Sequence, residues 1–414
     1  MALRSVEAIT ISILHSIWLN YTPLRDRLNS VVHWLLRKEI LMTLHQIRIL
    51  FSLAVFTAMA LLSLQSVDAQ VKKRPHVKIR GIYGGTPTQL LEQKKTLPEL
   101  GVNTIFMGSG GLTQERVAFL KKQGVKVFAE FNTLHVANYL KDHPDAAPVG
   151  VDGKVCPAPH GWQGICPTHP GYRKYRMDEF RRVLKEFEID GIWLDYHHSH
   201  ASWERAEPLM PDTCFCERCL KQFARETKTS LPDVPTSEVS KQLLGQQKAT
   251  WVQWRCDVFT DWVREFRLII NETRPQALLG TFHCPWTDKD FNGALRNKLA
   301  IDLKAQAQYV DVFSIMPYHA RFNHPQDPAW ISRQTAWLGK HLGIQGKPGE
   351  RHKIWPIVQL SDWGESVPVS QVEAVMDHGT RLPATGVMVF RWGSLHQQTD
   401  KVDAMIQFYR TIKP

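Results

Sequence analysis

The chain has little cysteine for its size, seven residues in 414, which excludes a small domain held together by disulfides in place of a core. It also lacks any long basic run. Lys and Arg are scattered among acids and aromatics, so the formal charge of +11 is not patterned as a nucleic-acid surface, and no nucleic-acid partner is expected. Long apolar runs are missing too: the stretch from Phe51 to Leu64 is too short to span a bilayer comfortably. With 43% hydrophobic, 22% charged and 10% aromatic residues, the composition excludes a disordered, collagen-like or low-complexity chain. It leaves room for one large domain or two average ones.

The short apolar run has its own meaning. From Met42 the sequence carries a short basic start, the apolar stretch and small residues up to Val67-Asp-Ala69, the layout of a secretory signal peptide cleaved before Gln70. The expectation is export, secreted or periplasmic, with only transient membrane contact through residues 42–69; the alternative is a single retained anchor. No cysteine stands at the cleavage point, which argues against a bacterial lipid anchor. Residues 1–41 precede the signal and read as an extension upstream of a true start at Met42, or else as an amphipathic segment around Val31 to Leu41. Residues 70–414 read as one domain without a linker.

That domain alternates short β-type runs with amphipathic helical runs, the pattern of a parallel α/β fold. Strands are expected at Val77 to Tyr83, Asn103 to Gly108, Val125 to Phe131, Gly191 to Tyr196, Ala277 to Cys284, Asp311 to Tyr318, Ile354 to Leu360 and Gly386 to Trp392. Helices are expected at Gln114 to Gln123, Asp178 to Glu188, Val252 to Ile270, Ala329 to Leu342 and Lys401 to Arg410. Ser370-Gln-Val-Glu373 reads as a capping box opening another that stops at Gly379. Eight strands, each followed by a helix, predict a (β/α)8 TIM barrel better than a doubly wound sheet.

In such barrels the working residues sit at the C-terminal strand ends. The fourth strand ends Trp193-Leu-Asp195-Tyr-His-His, which makes Asp195 the leading catalytic candidate, as nucleophile or proton donor; Asp190, at the strand's start, reads as structural. Glycoside hydrolysis needs a second carboxylate, and Glu130, Asp362 and Glu365 compete for that role, with Glu130 favoured because it closes the third strand. Tyr83, Asn132, His197, His198, His283, Trp286, Tyr318, His319, Gln359, Arg391 and Trp392 complete an inventory suited to sugars: aromatic faces stack on pyranose rings, and amides, His and Arg bond hydroxyls. The first strand has no His-x-His, so the histidines are expected to hydrogen-bond rather than hold a catalytic metal.

Cys214-Phe-Cys216-Glu-Arg-Cys219 runs from a loop into a helix. Three thiolates this close need one more ligand for tetrahedral zinc, with Cys166 the first candidate and Cys156 the second. Disulfides are the competing expectation, although Cys-x-Cys makes an awkward bridge within itself. Cys256 and Cys284 read as packed core residues.

Cys-Pro-Thr-His-Pro170, Asp-Gly-Ile-Trp-Leu-Asp195-Tyr, the cysteine group and Val310-Asp-Val-Phe-Ser-Ile-Met-Pro-Tyr318 together resemble the barrel of glycosyl-hydrolase-like families, across roughly residues 77 to 410. The cysteine group is similar to the zinc cluster of family-42 beta-galactosidases, which implies a structural zinc and no catalytic cofactor. Those enzymes carry an Asn-Glu acid/base pair at the fourth strand and a Glu nucleophile at the seventh. Here Leu194-Asp195 and Gln359 stand in those neighbourhoods, so their mechanism does not transfer. Alpha-galactosidase-like barrels use an Asp nucleophile at the fourth strand, which suits Asp195, but their strand-six acid is replaced by Tyr318-His319. The expectation is an exported glycoside hydrolase acting on an oligo- or polysaccharide. Its rivals are a non-catalytic glycan-binding barrel and a metal-dependent hydrolase built on the histidines.

Overall fold

The computed structural model describes residues 74–92 and 95–412. They belong to the second of two compact units, Val71–Pro414; the readings of residues 1–41 and 42–69 lie outside the described residues. Nine parallel strands form one curled sheet: β1 (Ile79–Tyr83), β2 (Thr104–Gly108), β3 (Lys126–Asn132), β4 (Gly191–Asp195), β5 (Leu278–His283), β6 (Val312–Ile315), β7 (Lys353–Ile354), β8 (Ile357–Gln359) and β9 (Gly386–Phe390). Their order is β7-β6-β5-β4-β3-β2-β1-β9-β8. The runs are apolar and buried almost throughout, as parallel strands covered on both faces require.

The count of nine corrects the expected eight, and proline is the reason. The predicted strand Ile354 to Leu360 is cut at Trp355-Pro356. Its first piece pairs with β6, and the Trp355 amide still donates to Phe313 at 3.0 Å. Pro356 has no N–H to continue that ladder. Its carbonyl instead accepts from the Met388 amide at 2.9 Å, and β8 pairs with β9. The two edges of the sheet are therefore consecutive pieces of chain.

The helices on the outer face are α1 (Gln114–Lys122), α2 (Pro170–Glu186), α3 (Glu217–Thr227), α4 (Thr236–Leu244), α5 (Lys248–Thr273), α6 (Ala329–Leu342), α7 (Val372–Gly379) and α8 (Thr399–Thr411). Helix α2 starts two turns before the predicted Asp178. Pro170 takes the first position, where its missing N–H costs nothing, and the His169 ring caps the Tyr172 amide at 2.9 Å. The expected capping box does not form. A 3-10 turn, Val369–Gln371, leads into α7, and no side chain caps it; the Gln371 side chain instead meets His319 and the Pro325 carbonyl.

Inside the sheet an aromatic layer fills the floor. The Trp193 ring packs on Phe128 at 4.7 Å, Phe106 at 5.1 Å and Trp355 at 5.6 Å, and its indole N–H donates to Ser314 at 3.0 Å. Gly280 makes this possible, since a Cβ there would lie 2.1 Å from the Trp193 indole. Alternation along a strand then fixes what lies above: two residues beyond Phe128 and Trp193 come Glu130 and Asp195, on the same face. Asp190, at the other end of β4, bonds Lys121 and the Val127 amide, both at 2.7 Å.

Candidate active site

Above the aromatic floor lies a cavity of about 120 Å³ walled by Tyr83, Glu130, Asp195, Glu204, Tyr318 and Arg391 among others. It shares walls with a second compartment of about 230 Å³. Trp162, Tyr196, Glu204 and Trp363 are walls of both. The boundary shared by the two thus carries two tryptophan rings and a carboxyl.

Three carboxyls meet in this space. The Tyr83 hydroxyl donates to Glu130, and Glu130 and Asp195 line the same cavity, near enough for the charge of one to act on the other. Burial pushes the Asp195 carboxyl well above the usual carboxylate range, and the charges of Glu130 and Glu204 push it the same way; a backbone hydrogen bond from Tyr196 opposes them. Two neighbouring carboxyls cannot both ionise cheaply, which favours a single proton shared between the pair. Burial likewise raises Glu204 to about 7, against the pull of the Arg321 guanidinium. The Thr133 amide and hydroxyl both donate to the Asp195 carbonyl, at 2.9 and 2.7 Å, fixing the end of β4. Tyr196 follows with φ of 49°, a left-handed conformation uncommon outside glycine. That turn sets its ring against Trp162, stacked at 5.2 Å.

On the opposite wall the Arg321 guanidinium lies 4.4 Å from the Trp363 ring. Glu365 holds it, with contacts of 3.0 and 3.3 Å to its two oxygens. Glu365 does not itself line the cavity. Nor does Asp362: it accepts from the Lys401 ammonium at 2.8 Å, the Val367 amide at 2.8 Å and Gln398 at 2.9 Å. Burial alone would raise the Asp362 carboxyl, but these donors keep it below its ordinary value.

Of the other residues singled out in the sequence, Tyr83, Tyr318 and Arg391 reach the inner cavity and His198 the outer one. The rest are spent elsewhere. Asn132 pins the His135 backbone, and His197 bonds the Phe259 carbonyl. His283 bonds the Cys284 carbonyl, and His319 bonds Gln371. Gln359 accepts from the Arg321 amide, Trp392 donates to Gln89, and Trp286 packs on Trp203 and Phe291. His198 is held between the Ser199 carbonyl and the Trp203 N–H. Burial brings His197, His198 and His283 down to about 4, so all three are neutral at physiological pH. Glu204, Trp162, Tyr196 and Trp363 were not found from sequence. They lie just past strand ends or in the irregular loops after β3, β4 and β8, where no period gives a side chain's direction.

Below the loops, the four sulfurs of Cys166, Cys214, Cys216 and Cys219 all lie within 4.8 Å of one another. Cys166 is 3.6 Å from both Cys216 and Cys219. Four thiolates about 2.3 Å from a tetrahedral zinc would be about 3.8 Å apart, so the set fits that ion. None of the seven cysteines is in a disulfide, and Cys156 stands outside the group.

The fold is one that glycoside hydrolases share. The PgaB (BpsB) glycoside hydrolase domain from Bordetella bronchiseptica superposes with a TM-score of 0.60 at 12% identity, over 80% of this chain and 98% of that one. A beta-galactosidase from the psychrophilic Marinomonas ef1 gives 0.57 at 13%, over 80% of this chain, and a GH42 beta-galactosidase from G. stearothermophilus gives 0.54 at 14%, also over 80%. The chain spans 58% of the length of each of these two. No protein-family model matches the sequence, and no curated protein sequence does.

Proposed function

We propose that the chain is a glycoside hydrolase acting on an oligo- or polysaccharide. Its sheet is a (β/α)8 barrel in which residues 353–359 count as one interrupted strand. The observation that carries this reading is the meeting of Glu130, Asp195 and Glu204 in one cavity at the strand ends, between Trp162 and Trp363. Catalysis needs a proton donor and a carboxylate on either side of the scissile bond. Asp195 and Glu130 stand side by side on β4 and β3 in one cavity and act as one member, a dyad with one proton and one negative charge. Glu204 is the other member.

The mechanism follows from these environments. The tryptophans stack on sugar faces across the junction of the two compartments. Glu204, still half protonated at about pH 7, gives its proton to the glycosidic oxygen as the bond breaks. Positive charge developing at the anomeric carbon is met by the dyad's negative charge, and a water molecule completes the reaction, its oxygen bonding to that carbon and one of its protons returning to the Glu204 carboxylate. The Tyr83 hydroxyl fixes the Glu130 carboxylate for this role. The cysteine cluster, by its likeness to the family-42 cluster, holds a structural zinc that ties the loop after β3 to the start of α3. Export rests on the sequence of residues 42–69 alone.

The test is release of reducing sugar by the full chain across a broad glycan panel, beside a folded Asp195→Asn variant. Turnover that disappears in the variant supports the reading. Binding without turnover would instead establish a glycan-binding barrel.

A further inference from the structure

Two arginines in the cavity walls have no partner. Arg391 follows β9, is exposed, and lines the inner compartment. Its guanidinium carbon lies 6.0 Å from the Phe390 ring, whose face packs on Tyr83 at 5.4 Å and Tyr318 at 4.8 Å. Arg205 is half-buried and lines the outer compartment. Among the described residues neither guanidinium makes a hydrogen bond or an ion pair. Arg321, in the same walls, differs: Glu365 neutralises it and Trp363 lies against it.

Neutral sugars need no free guanidinium, since ring stacking and uncharged donors hold them. A planar cation with unfilled donors facing a cavity fits carboxylate or sulfate oxygens, bidentate where geometry allows. Neither guanidinium is paired with the nearby carboxyls: Glu365 is committed to Arg321, and Glu130 accepts from the Tyr83 hydroxyl. The chain's charge of +11 adds attraction for an anionic polymer from a distance.

We propose that Arg391 in the inner compartment and Arg205 in the outer one form the two anchor points of an anion-binding subsite along the cavity, so that the glycan it takes is an acidic one carrying carboxylate or sulfate groups. The inference rests on the glycosidase reading but is tested apart from it, by equilibrium binding. The full chain is titrated with oligosaccharides of polygalacturonate, hyaluronan and chondroitin sulfate, each beside its carboxyl-reduced or desulfated form. The expected result is at least one acidic member bound tenfold or more tighter than its neutral form, with affinity falling as salt rises. That preference should collapse in a folded Arg205→Met/Arg391→Met variant and partly survive in Arg391→Lys. Loss on carboxyl reduction identifies a uronate, and loss on desulfation a sulfate ester. If no acidic member is preferred, or if the preference survives in the double Met variant, the subsite is overturned. Turnover recorded on the same panel separates the two ideas: cleavage without acid preference keeps the glycosidase and removes the subsite, while acid-selective binding without any cleavage keeps the subsite and removes the glycosidase.

Discussion

Glu204 is the residue whose ionisation should be visible in kinetics. It must be protonated to act as the acid, and burial holds it at about 7, so kcat/KM should fall as pH rises through about 7. Glu204→Gln should lose about 10²- to 10⁴-fold in kcat and the falling limb with it; a limb that persists in the variant would assign the proton elsewhere. Asp195 carries a second prediction, this time on stability. Its carboxyl pKa is raised on folding, so the unfolded chain gives up that proton at lower pH than the folded one. Stability from this group therefore declines as pH rises above the ordinary aspartate value toward the folded one. Asp195→Asn should raise the melting temperature at pH 8 while removing turnover; a lower melting temperature would contradict it. Alternation above an apolar strand made Tyr83, Glu130 and Asp195 legible in the sequence. Glu204 was not, because its loop has no period, and for the same reason Asp362 and Glu365 stayed competitors of the favoured Glu130 until their partners were seen.

At the scale of elements, two ties hold the loops that carry the site. The first is the cysteine cluster joining residues after β3 to the first turn of α3. One zinc per chain is expected by metal analysis, and a strong chelator or Cys166→Ser should lower the melting temperature; an unchanged melting curve after complete metal removal would rule out a structural role. The second is Asp362, which binds Lys401 of α8, a side chain only 9% exposed. Asp362→Asn should cost about 1–2 kcal/mol in chemical denaturation, discounted for the partner's 41% exposure, with turnover retained. Helix α6 matches its sequence expectation, Ala329 to Leu342, because its apolar period runs its whole length. Helix α2 does not, since its first two turns are led by Tyr172 and Arg176, whose burial no hydropathy pattern announces.

Across the whole molecule, the alternation of strands and helices was enough to read a parallel curled sheet, since a strand followed by a helix returns to the same sheet in the same direction. The interruption at Trp355-Pro356 was less legible: its consequence depends on which neighbours each half meets. The aromatic floor ties this architecture to the site, because Trp193 supports the layer that holds Asp195. Gly280→Ala, placing a methyl against the Trp193 indole, should cost about 3 kcal/mol by overpacking and reduce activity through the fold. The most direct measurement is turnover itself: reducing-end release by the full chain on its best glycan, beside Glu130→Gln, Asp195→Asn and Glu204→Gln, each verified as folded. The account predicts strong turnover by the parent and a loss of at least about 100-fold in each variant. Parent-level turnover in all three would contradict it.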